Sequence, residues 1–307
     1  MAAQKKHSYG GQAVIEGVMI RGRTSVVTAV RRPSGEITTN VKPLPSTTMS
    51  KGRRTPFIRG VVVLIEAMVI GIKSLLYSAN VSIEEEDEKI PTKVIWIMMV
   101  IAAIMAILLF FIAPLFLTQL VNPHIPNSLV FHIIEGVIRL AIFLAYIKAI
   151  SYLPDIKRVF TYHGAEHKAV NAYEAGVPME VSAIKEYSKA HVRCGTSFFL
   201  MVFIVAIIVF TFVGRQTLWL MLVSRVVLIP VIMGLGYEII YFGARHTKNW
   251  LMKIVLAPGL WLQAMTTGEP DDKQLEVAIV AVNKAVELDQ AEEAARVAAL
   301  PDTSNAS

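Results

Sequence analysis

Two histidines one helical turn apart, with a glutamate beside the second, are the residues of this chain best placed to do chemistry: His163-Gly164-Ala165-Glu166-His167. Residues four apart share a helix face, so both imidazoles can grip one Zn²⁺ at about 2.0–2.1 Å. Glu166 is then placed to take a proton from a metal-bound water as general base. H-x-x-E-H is the inverted zinc-protease spelling. Two further ligand types follow together at His191 and Cys194. Zinc held by His163, His167, His191 and Cys194 is a closed, structural site. A catalytic site uses three protein ligands, with Glu174 or Glu238 as alternatives, and keeps one position for water. The competing explanation is plain hydrogen bonding at a membrane surface. Gly164 also weakens the presenting helix by about 1 kcal/mol relative to alanine.

The helix that must carry this motif is expected over 164–175, because Gly176 and Pro178 form a stop signal. No G-x-S-x-G, Walker loop or G-x-G-x-x-G signature occurs elsewhere. Gly10, Gly11, Gly17 and Gly22 read as turns, since no strand–loop–helix phosphate cradle follows them.

The elements around the motif are apolar. Residues 95–120 run for 26 positions without a charge, longer than the roughly 20 needed to cross a bilayer's hydrocarbon core. Only 18% of the chain is charged and 54% hydrophobic, with a mean hydropathy of +0.53; a soluble domain carries about 25% charge. The expected fold is an α-helical integral membrane protein with about four transmembrane helices, interfacial or re-entrant helices, and a small N-terminal cytosolic β-unit. The spans fall at 94–120, 129–150, 198–213 and 217–241. Residues 61–83 carry Glu66 and Lys73 on one face, which suits an interfacial or re-entrant helix, and 250–265 resembles another such segment around Pro258 and Gly259. A cytosolic loop over 151–197 holds the H-x-x-E-H helix, and 242–307 ends in a soluble helix. Lys and Arg concentrate in 1–60, 148–193 and after 245, so both termini and the central loop are expected in the cytosol. Met1–Tyr9 carries Lys5 and Lys6 with no apolar core following, so no cleavable signal peptide is expected. Cys194 is the single cysteine, which excludes an internal disulfide.

Three charges lie inside the predicted spans. Glu135 and Arg139 are four apart in the second, and Arg225 lies at a similar depth in the fourth. Ionisable groups at mid-membrane face protein or water and have partners, so these three are expected to form one cluster. It serves as an interhelical clasp, or as an ion path or polar groove. Residues 1–60 hold eleven bases against two acids, a net of +9. Arg31, Arg32, Arg53 and Arg54 are its exposed basic surface, facing anionic headgroups or ribosomal RNA. Pro33-Ser34-Gly35 between β-branched runs predicts a hairpin over 26–41.

GGQAVIEGVMIRG at 10–22, YHGAEHKAVNAYE at 162–174 and RCGTSF at 193–198 together resemble the YqhQ-like family of bacterial membrane proteins. The likeness covers roughly residues 8–290. That family is a domain of unknown function (1385) whose members are often labelled predicted metal-dependent enzymes. The resemblance implies a multi-pass protein of the bacterial plasma membrane, and it picks out Gln12, Glu16, His163, Glu166, His167, Arg193 and Cys194 as motif positions. His191 lies outside the matched stretches.

Two functions of different class are consistent with these residues. One is a zinc-dependent, hydrolytic enzyme at the cytosolic interface, with Glu166 as base. The other is a non-catalytic biogenesis factor that contacts translocon and ribosome through its basic N-terminal section. A transporter is a lesser third, weakened by the absence of an internal repeat. Beyond the lipid bilayer, a second copy of the chain is the remaining partner considered.

Overall fold

The computed structural model describes residues 9–44, 55–83, 91–125, 127–192, 194–214, 216–246 and 249–298. Arg53, Arg54, Arg193 and the acidic run 84–88 lie outside these. Near the N-terminus four strands form one antiparallel sheet in sequence order: β1 (Gly10–Val14), β2 (Gly17–Arg21), β3 (Ser25–Arg31) and β4 (Ile37–Pro43). The expected 26–41 hairpin is β3–β4, closed by a turn in which Gly35 has φ 90°. The glycine-punctuated stretch before it is a second hairpin, β1–β2, with Glu16 at φ 53° in its two-residue turn. That conformation is rare outside glycine, and the Glu16 side chain is held by partners described below.

Side chains alternate across a strand, and here both faces are covered. Val18, Ile20, Val27 and Ala29 pack against two helices, α5 (Pro154–Ala175) and α11 (Asp272–Ala298), in one core with Tyr162, Ala169, Leu275 and Val282. Val14, Met19, Val26 and Val30 face the other way, onto Ile70 and Tyr77 of α1 (Ile58–Val81). Each fully buried Val or Ile contributes about 1.5–3 kcal/mol, so strands, α1, α5 and α11 form one layered unit.

The α1 helix runs for 24 residues without a break, so it is not a re-entrant hairpin. It is long and apolar enough to cross a membrane. Its inner face is nevertheless docked: Thr28 bonds Ser74 at 3.1 Å, and the backbone N–H of Ile15 donates to Ser78 Oγ at 3.1 Å. Ile65, Met68 and Leu75 are exposed on its other side.

The remaining helices form an apolar bundle. α2 (Thr92–Ile107) passes through one π-helical turn at Leu108–Ile112 into α3 (Ala113–Leu120). α4 (Ser128–Ile150) starts at Asn127, whose side chain accepts from Val130 N. After α5 and the single turn α6 (Val181–Ile184) come α7 (Gly195–Val213), α8 (Leu218–Val227), α9 (Ile229–Arg245) and α10 (Trp250–Thr266). The span expected over 217–241 is two helices bent by 48°. Pro230 explains the break, since it lacks the N–H of an α-helical bond and its ring crowds the preceding turn. Among the described residues, four helices are long and apolar enough to cross a membrane, or five if the bent pair is one span. The chain is therefore mostly helical and built like a membrane protein.

Candidate metal centre

The site begins with α5. It starts ten residues earlier than expected, with Pro154 in its first turn and Asp155 favourable to the helix dipole. It stops where Gly176 turns left-handed at φ 78°. His163 and His167 lie on one face, their ring centroids 4.4 Å apart. Gly164 between them is a contact requirement. A Cβ there would stand 2.1 Å from the carbonyl oxygen of Gly268, and the Gly268 N–H donates to Phe160 O at 2.7 Å. This close approach brings the Thr266 carbonyl to His163.

Each imidazole is pinned by one nitrogen. His163 Nδ1 lies 2.9 Å from the Thr266 carbonyl and His167 Nδ1 lies 2.6 Å from the Lys189 carbonyl. A carbonyl only accepts, so both Nδ1 atoms carry hydrogen and each neutral ring keeps its lone pair on Nε2. Cys194 closes the third corner as the N-cap of α7, where the N–H of Thr196 donates to its sulfur. Its Sγ is 3.3 Å from His163 Nε2. One ligand atom each from His163, His167 and Cys194 lies within 4.8 Å of the other two. An Nδ1–H bonded to a carbonyl is how proteins orient metal-binding histidines. Two imidazole nitrogens and a thiol at a helix N-terminus are a donor set that suits Zn²⁺.

Glu166 lies against this group, with Oε2 3.5 Å from His167 Nε2. Burial pushes its carboxyl above the ordinary range, opposed by His163, His191 and a hydrogen bond from the Gly11 backbone. A Cβ on Gly11 would meet Met19 O at 2.1 Å and Glu166 Cγ at 3.2 Å, so a glycine lets β1 lie directly over the site.

His191 stands beside the three ligand atoms, not among them. Its ring is 5.6 Å from that of His167 and its Nε2 is 3.9 Å from Glu174 Oε2. Gln263 explains this placement: it accepts from His191 N and donates to His191 O, both at 2.8 Å, and to Ser197 Oγ at 2.7 Å. Glu238, the other alternative ligand, is paired with Arg59 on α1 at 2.7 Å and has no part in the site. Residues that sequence reasoning missed are the backbone groups of Thr266, Lys189 and Gly11, which carry no sequence signal. Gln263 was also missed, although a glutamine within an apolar helix was one.

A model of the family described as "Protein of unknown function (DUF1385)" matches residues 55–288. The chain is also 36% identical over 296 residues, 92% of its length and 93% of the relative's, to "Uncharacterized protein YqhQ" of Bacillus subtilis (strain 168). The chain belongs to this family. No solved structure matches it. Two of the YqhQ-like motif positions in the N-terminal sheet make contacts that hold it in place. Gln12 Nε2 donates to Gly71 O at 3.1 Å, tying β1 to α1. Glu16 is paired with Arg158 at 2.6 Å and accepts from Tyr162 at 3.3 Å, tying the β1–β2 turn to α5. The family's N-terminal glycine motif thus fastens the sheet over the H-x-x-E-H helix.

The three charges of the apolar helices that were expected to meet do so. Glu135 accepts from Arg139 at 2.6 Å and from Arg225 Nε at 3.1 Å, with a second bond to the same guanidinium. His132, one turn earlier, adds a contact at 3.4 Å. All four are at most 2% exposed, and Arg225 lies over the Phe210 ring at 4.2 Å. The carboxylate is saturated by cations, which is the geometry of a clasp. On the basic surface, Arg31 spends its charge on Glu276 at 2.7 Å and on the carbonyls of Gly35 and Lys273, whereas Arg32 is exposed.

Proposed function

We propose that this chain is a zinc-dependent hydrolase of the bacterial plasma membrane, working at the cytosolic face. The observation that carries the reading is the pair of imidazoles pinned through Nδ1, with one ligand atom each from His163, His167 and Cys194 within 4.8 Å of the other two. Bound zinc would supply Lewis acidity and a water acidified towards neutral pH. The protein's own groups do the rest. Glu166 is held by Gly11 in a desolvated setting, poised to accept a proton at its carboxylate. Gln263 fixes the segment that delivers Cys194, and partly exposed His163 marks the side open to substrate.

The topology that goes with this reading rests on parity. β4 and α5 share one core, so they lie on one side of a membrane. Of α1, α2–α3 and α4 between them, an even number crosses. The sheet packed on Ile70 and Tyr77 of α1 supports reading α1 as the surface helix and the other two as spans. Likewise α7 and the bent pair α8–α9 return the chain to α11, with α10 at the interface. The positive-inside balance puts the shared side, with both termini, in the cytosol. The biogenesis-factor reading has less to rest on, because Arg31 is already paired.

The test is Glu166→Gln in full-length protein, read as zinc content and as hydrolysis of a panel of ester, amide and phosphoester probes in lipid vesicles. Retained zinc with turnover lowered about 10²–10⁴-fold is expected. Unchanged turnover, or none from the zinc-loaded wild type across the panel, contradicts the assignment.

A further inference from the structure

Beside the metal centre a cleft of about 530 Å³ opens between the end of α4, the start of α5 and the segment after α10. Its walls combine Lys148, Lys157 and Glu269 with Tyr152, Phe160 and Met265. Glu269 does not make the cleft acidic, because it is paired with Lys168 at 2.6 Å and Lys189 at 3.4 Å. Two lysines therefore hold that carboxylate, and Lys148 and Lys157 line the same cleft. Lys148 also lies 5.0 Å over the Tyr152 ring, whose side chain is 72% exposed with Leu153 next to it. Cationic heads beside exposed apolar rings, at the end of an apolar helix, suit the boundary between headgroups and water.

The cleft shares a wall with the metal centre. Phe160 is three residues before His163 on α5, and Met265, Thr267 and Gly268 flank Thr266, whose carbonyl holds His163 Nδ1.

We propose that this cleft binds the phosphate of an anionic amphiphile. Lys148 and Lys157 face the phosphate, while Tyr152, Phe160 and Met265 receive the glycerol and the first part of the chain. The inference rests on the hydrolase reading only for what happens next: it makes a phosphate-bearing lipid the substrate class. The binding itself stands on the cleft.

The experiment uses full-length protein in detergent micelles. Native mass spectrometry compares retention of phosphatidylglycerol and phosphatidylcholine, with zinc counted in the same samples. A base near an anionic lipid is worth about fivefold in affinity, so Lys148→Gln/Lys157→Gln should lose about 25-fold in preference for phosphatidylglycerol. Lys148→Arg/Lys157→Arg should keep it. If inorganic phosphate displaces the lipid at equal concentration, the phosphate site holds and its ligand is a soluble phosphate compound. If it does not, the ligand is the lipid. Equal retention of the two lipids, or an unchanged preference in the glutamine variant, overturns the proposal. Loss of zinc with lipid preference intact would sink the hydrolase reading alone.

Discussion

His163, His167 and Cys194 beside the sheet, and Glu135, Arg139 and Arg225 among the apolar helices, are both polar clusters in a mostly apolar molecule, yet their chemistry is opposite. In the bundle one carboxylate is met by two guanidiniums, and its acceptor capacity is used within the protein. Beside the sheet the hydrogen-bonding protons point outward to carbonyls and the lone pairs point inward to a common point. A carboxylate held between two guanidiniums from different helices ties those helices together. A cluster of converging donors with no cation of its own is organised for a ligand.

That contrast can be broken most sharply at Glu135. Glu135→Leu leaves two buried guanidiniums without a counter-charge and should cost about 3–5 kcal/mol, seen as a lowered unfolding midpoint in micelles. A variant as stable as wild type would mean that the cluster is hydrated rather than clasped. Gly164→Ala comes next. Its Cβ would be forced against Gly268 O, costing about 1–3 kcal/mol as overpacking, and it should weaken zinc retention because Thr266 moves with that segment. Stability unchanged would show that the close approach is slack.

The smallest effect is expected at Glu269. Lys168 holds its carboxyl below the usual carboxylate range, with Lys189 adding to this. The sign follows: the contribution is complete above the ordinary carboxyl pKa and is lost as pH falls through the lowered one. Its side chain is 65% exposed, so solvent screens the pairing and Glu269→Gln should cost less than about 1 kcal/mol. Stability curves of the two proteins against pH should therefore merge in acid. A gap that widens in acid would reverse this account.

What the sequence reveals depends on how local the cause is. Glu135, Arg139 and Arg225 were legible because helical spacing and membrane depth leave few arrangements. The histidine pair was legible for the same reason, and Gly176 marked its helix end. The place of His191 beside the three ligand atoms was not legible, because proximity in sequence says nothing of Gln263, 72 residues away, which holds the His191 backbone. Gly164 read as a weak point of the helix because its neighbour, Gly268, comes from beyond two further spans. The bend at Pro230 was written in the chain but masked by continuous hydrophobicity. The apolar outer face of α1 is equally ambiguous: its length permits a span, and the sheet docked on its inner face at Ile70 and Tyr77 is a contact that no local pattern announces.

The most direct measurement is the zinc content of full-length protein purified without chelators, by plasma mass spectrometry, beside a His163→Ala/His167→Ala variant. The account predicts about one zinc per chain in the wild type and none in the variant, with the helical content and micellar size of both unchanged. Metal-free wild type, or zinc retained by the folded variant, would contradict it.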